Sequence, residues 1–114
     1  MPLSSAPDFT TLLWNIILFT GDRTLLLSDA FEFLQSNTAG GTQTVTIPPN
    51  SDVDFEVGVQ ISFEQKNTAI LDIAAGIGVT IDSRGALLTA NGQFAVFSIV
   101  QDEIDNWIAF GDLA

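Results

Sequence analysis

Apolar residues gather along the chain into short runs divided by turn-forming residues. The clearest run alternates: Phe55, Val57, Val59, Ile61 and Phe63 are interleaved with Glu56, Gly58, Gln60, Ser62 and Glu64. A period of two sends successive side chains to opposite faces of an extended chain, so the spacing predicts a strand whose five apolar residues share one face. Thr44-Val45-Thr46-Ile47 is β-branched throughout and stops at Pro48-Pro49-Asn50, as a strand must where proline offers no ladder donor. Ile70-Leu71-Asp72-Ile73, Val79-Thr80-Ile81, Ala86-Leu87-Leu88 and the stretch from Trp107 to Leu113 predict further short strands. Asn91-Gly92 predicts a hairpin, and the stretch from Gln101 to Asn106 an acidic turn.

Two Leu-rich runs are less specific. Leu12 to Phe19 is apolar apart from Asn15. Thr24 to Leu34 reads as strand, bend at Ser28-Asp29, strand, with a helical turn around Asp29–Leu34 as the competing local reading. Phe94 to Val100 is apolar on both faces. In an antiparallel domain one face normally meets water, so this strand either lies between two layers or meets another subunit. The strands together predict an all-β fold, a compact antiparallel β-sandwich or β-roll of about seven to nine short strands. Residues 1–22 are expected to form an N-terminal arm with an apolar anchoring segment, and residues 23–114 the β-rich assembly domain. Met1 to Thr11 carries Pro2, Pro7 and several hydroxyl residues and has no face to bury. It is either a frayed end or an arm laid across a neighbour.

Composition narrows the chemistry. The 114 residues supply one core. There is no His, Cys or Tyr, which removes disulfides, thiolate nucleophiles, the usual near-neutral proton shuttle and the common zinc ligands. Fourteen acidic residues against Arg23, Lys66 and Arg84 give a net charge of −11. Phosphate backbones and anionic membrane surfaces would be repelled, so neither nucleic acid nor membrane is an expected partner. No Lys or Arg precedes the run at Leu12, which gives no signal-peptide pattern, and that run is too short to cross a bilayer.

The remaining chemical candidates are carboxylates. Asp52, Asp54 and Glu56 would project from one side of an extended strand, where they could hold a hard cation or form a solvated acidic edge. Asp102, Glu103 and Asp105 lack the calcium-loop pattern and read as a charged turn. Paired acids are the minimum for glycoside hydrolysis, but no cleft or aromatic platform accompanies them, so no enzyme activity and no cofactor are expected. Gly40-Gly41 and Gly76-Ile77-Gly78 lack the Lys-Ser/Thr continuation of a phosphate loop and read as turns. The candidate assembly residues are Trp14, Ile16, Ile17, Leu18 and Phe19 in the first run, Phe94 and Val96 in the doubly apolar strand, and Trp107. Trp14 is read as an intermolecular anchor, and Trp107 as a core or subunit-interface residue.

The succession Thr44-Val45-Thr46-Ile47-Pro48, Val57 to Phe63, Ile73-Ala74-Ala75-Gly76 through Ile81, Phe94 to Phe97, Asp105-Asn106-Trp107 and Gly111-Asp112-Leu113 resembles a β-rich module of tailed-bacteriophage virion proteins. Such modules occur in tail fibres and appendages and in small capsid-associated proteins. Thr24 to Ala30 is similar to the module's opening strand and Asp-containing turn, so the likeness covers residues 23–113. The first 22 residues lie outside it, and no long fibrous region precedes it. The resemblance implies a non-enzymatic, commonly trimeric component. It would be a decoration or cement protein bound to the major capsid protein on the outer head surface, or else a tail-fibre or appendage tip that binds a host receptor such as a glycan.

Overall fold

A computed structural model of the chain describes residues 15–114. Among the described residues nine short strands are formed: β1 Ile16–Phe19, β2 Arg23–Thr24, β3 Phe33–Ser36, β4 Thr42–Ile47, β5 Gln60–Gln65, β6 Ile70–Ala75, β7 Thr80–Ser83, β8 Val96–Glu103 and β9 Asn106–Gly111. They make a six-stranded sheet ordered β1-β3-β5-β8-β9-β7 and a three-stranded sheet ordered β2-β4-β6. The two sheets share one apolar core, with Leu34, Ile61, Phe63, Phe97, Ile99 and Trp107 from the larger sheet and Val45, Ile47, Leu71 and Ile73 from the smaller. Ring packing closes it: Phe63 stacks on Phe97 at 5.1 Å and Phe55 meets Trp107 edge-on at 5.5 Å.

The expected all-β character and strand number hold, but the antiparallel pairing does not. Five strand pairs, β1·β3, β2·β4, β3·β5, β4·β6 and β7·β9, are parallel, and only β5·β8 and β8·β9 are antiparallel. The reason is the path of the chain. Parallel neighbours need a long crossover; strands 1 to 6 alternate between the sheets, so the crossovers from β1 to β3, β2 to β4, β3 to β5 and β4 to β6 each pass through a strand of the other sheet, while β7 reaches β9 by way of β8 in the same sheet. A period of two is the same for either pairing and carries no orientation.

Three local readings also change. The alternation at Phe55–Phe63 does not make one strand: Val57 is 55% exposed while the other four are buried, because the chain turns at Gly58, whose φ of 99° suits glycine. Asn91-Gly92 does not close a hairpin. Thr89 and Ala90 instead make isolated bridges to Asp72 and Leu113, and the hairpin lies between β8 and β9 at Ile104-Asp105. Residues 16–19, expected to precede the β domain, are its edge strand, and Phe19 is part of its core.

Between β2 and β3 the chain bends through a single 3-10 turn at Leu27–Asp29, so the strand-bend-strand reading holds; the alternative helical turn around Asp29–Leu34 does not form, because Phe33 and Leu34 already lie in β3. Asp29 is wholly buried beneath the bend. Its carboxylate accepts from Arg23 Nη2 at 2.7 Å, Arg23 Nε at 3.1 Å and the Leu26 N–H at 2.9 Å. Buried glutamines tie other turns to the core: Gln65 accepts from the Leu71 N–H and donates to the Asn67 carbonyl, and Gln101 donates to the Phe55 carbonyl.

Candidate assembly surface

The strand register fixes which side chains stand together on the outer side of the six-stranded sheet. One row across the strands reads Ile16, Phe33, Ser62, Ser98, Phe110. The row toward one end of β5 reads Leu18, Gln35, Glu64, Val96, and the row toward the other reads Gln60, Val100, Ile108, Asp82. Ser62 and Ser98 lie at the centre, buried, with their hydroxyls 2.6 Å apart and joined by one hydrogen bond. Around them Ile16, Leu18, Val96, Ile108 and Phe110 remain exposed.

The outer side of the other sheet is different in kind. There the register brings Thr24, Thr46 and Ala74 into one row and Thr44 and Asp72 into the next, with Ile70 at the end. Hydroxyls and a carboxylate are what a solvated sheet face needs. The larger sheet instead shows water a band of aliphatic and aromatic side chains, the kind of patch that marks an interaction site.

The central row, from Ile16 to Phe110, holds no carboxylate; beside it Glu64 accepts from the Gln35 amide at 2.8 Å. Asp82 and Asp102 stand at the β7 side, where the Asn106 amide donates to both.

The expected assembly residues divide by strand parity. Ile16 and Leu18 point outward at 63% and 54% exposure, Ile17 is packed against the core, and Phe19 lies within it. The first run is therefore half anchor and half core. Trp14 lies outside the described residues. Val96 stands on the outer face at 45% exposure, and Phe94 is exposed in the turn before β8. Trp107 is 1% exposed against Phe55, so its ring serves the core of the domain and has no surface to give a neighbour.

Asp52, Asp54 and Glu56 lie in the loop after Pro49 rather than on a strand, all three exposed. Among the described residues, no group of three or more His, Cys, Asp or Glu is placed to hold a metal ion, and no helix is long and apolar enough to cross a membrane. One groove, of about 490 Å³, lies beside Arg84, Leu87, Phe110 and Leu113. Its walls are mostly apolar, with Arg84 as the charged residue among them.

Phe33, Ile108 and Phe110 were not singled out from the sequence as assembly residues. In Trp107-Ile108-Ala109-Phe110 the alternation that sends Trp107 inward also sends two large apolar residues outward, and that signal was readable. Phe33 joins them only through a parallel register spanning 29 residues, from Phe33 to Ser62. No family model, curated protein or solved structure matches this chain.

Proposed function

We propose that this chain is a structural virion component of a tailed phage: a decoration, or cement, protein that binds the outer head surface as a trimer and stabilises the capsid lattice. The observation that carries the assembly half is the difference between the two sheets, one dressed in threonine and aspartate and the other in exposed aliphatic and aromatic residues. The virion half is supported by the ordered succession of segments from Arg23 to Leu113 that resembles the phage module. The shared core of the two sheets supports a β-roll-like block, and the −11 charge suits an exterior facing away from packaged DNA. Such a protein acts by mass action, binding the expanded shell better than its unexpanded or disassembled forms and so holding it in that state.

A second reading, a tail-fibre or appendage tip that binds a host glycan, is favoured by one feature of the coil. Among the described residues β1 and β2 are each an edge strand of their sheet, and an edge strand is a template for pairing with a further strand, as stacking onto a fibre would require.

The test is addition of the purified chain to heads that lack it. The decoration reading expects saturable binding over the whole head and release of packaged DNA at a higher temperature. It also expects a variant without residues 1–11 to stay folded and lose binding. Retention by the tail alone, or capture on host glycan with no head binding, would favour the second reading.

A further inference from the structure

We infer that the outer face of the six-stranded sheet is the surface through which copies of this chain meet, with Phe31 and Phe94 as anchors at its two ends. The inference rests on the self-assembling reading above and supplies its contact surface. Both phenylalanines hold a left-handed backbone, φ 62° and 73°, and both are exposed, at 59% and 63%. A bulky residue with positive φ is strained by roughly 1–3 kcal/mol, and glycine would relieve it. Burial within the domain does not account for the ring in either case.

Their positions are related. The Phe31 N–H donates to the Gln60 carbonyl at 2.9 Å and the Phe94 N–H to the Gln65 carbonyl at 2.6 Å. The two residues thus flank the first and last residues of β5, a central strand of the sheet. Between them lie the exposed Val96 and Phe110 and the Ser62–Ser98 pair, whose hydroxyls are already buried and bonded to one another.

A second copy is the occupant that the charge distribution favours. A basic partner would seek the acidic surfaces, and the central row of this face, Ile16 to Phe110, holds no carboxylate; Glu64, Asp82 and Asp102 lie to either side of it, each accepting from a side-chain amide. Two chains of charge −11 can approach closely only through a face poor in charge. Size agrees as well. Five strands about 4.8 Å apart, four to eight residues long and rising about 3.3 Å per residue, cover roughly 440 Å² in projection, and more in accessible area once the side chains and the flanking Phe31 and Phe94 are counted. A stable interface needs about 600–800 Å² from each partner.

The test is sedimentation of the full chain and four variants at matched concentrations, with circular dichroism and thermal unfolding to confirm the fold. Val96→Glu and Phe110→Glu place a carboxylate on the face, and Ile70→Glu places one on the outer side of the smaller sheet. The wild type and Ile70→Glu should self-associate, while Val96→Glu and Phe110→Glu should sediment as folded monomers. Phe94→Gly should weaken association at least about tenfold, the loss of an interface anchor, without lowering the unfolding temperature of the monomer. Association of Val96→Glu and Phe110→Glu at the wild-type level would overturn the inference and leave the virion reading standing. Loss of head binding by these variants with association intact would also overturn it, because the face would then belong to another virion protein. A wild type that stays monomeric at every concentration would remove the self-association on which both rest.

Discussion

Asp29→Ala is the most exacting test of how the fold presents this surface. The carboxylate is fully buried and accepts three hydrogen bonds, two from Arg23 and one from the Leu26 N–H. Its removal orphans the amide and leaves a guanidinium that is only 22% exposed without its counter-charge. Breaking a buried pair from one side costs about 3–5 kcal/mol. The residual exposure of Arg23, and its contact with the Phe19 ring at 5.6 Å, place the expected loss near the lower end, about 3 kcal/mol. A domain of this size holds roughly 5–15 kcal/mol in total, so the variant should fold but unfold early. With a slope of about 2 kcal/mol/M in urea the midpoint should fall by about 1.5 M. A double-mutant cycle with Arg23→Met should be strongly non-additive, since the second change removes the charge that the first left stranded. Additivity within about 0.5 kcal/mol, or a midpoint shift below about 0.3 M, would refute the account of the turn. The turn matters beyond stability: the Glu32 N–H donates to the Asp29 carbonyl and the Phe31 N–H to Gln60, so the same staple sets the position of Phe31.

Three further outcomes follow from particular contacts. Ser62→Ala and Ser98→Ala should each cost about 1–2 kcal/mol in urea unfolding by stranding the remaining hydroxyl, while the double variant should cost less than their sum. Gly111→Ala should destabilise by more than the usual ~1 kcal/mol of a point change, because its Cβ would lie 2.7 Å from Phe97 Cα at a φ of 124°; calorimetry would show the drop. Self-association should strengthen as sodium chloride is raised, since screening weakens the repulsion between chains of charge −11, and sedimentation across a salt series would show it.

Strand positions were largely legible in the residues themselves. Thr44–Ile47 and Ile70–Ile73 are β-branched or apolar runs with clear ends, and both lie within strands of the smaller sheet. Pairing was not legible, because alternation records which side a residue faces and nothing about which strand lies beside it. The parallel pairing joins residues 17 to 29 apart in the chain, such as Ile16 with Phe33 and Phe33 with Ser62, and no local pattern encodes it. Val57 misled because the period of two continued through a Gly58 turn that reverses its side. The surface was half visible. Ile16, Leu18 and Val96 could be found by parity, and the doubly apolar Phe94–Val100 run pointed to a second contact. The anchoring role of Phe31 depends on a backbone angle, which composition and spacing do not reveal.

The central claim is that the chain is a self-assembled block on a phage head. Electron cryo-microscopy of intact particles carrying the protein tests it most directly. The account predicts density for three-fold clusters of the chain at repeated positions over the capsid, with the six-stranded sheets turned toward one another and the threonine-bearing sheets outward. Density confined to the tail, or single copies with the six-stranded sheets facing solvent, would contradict it.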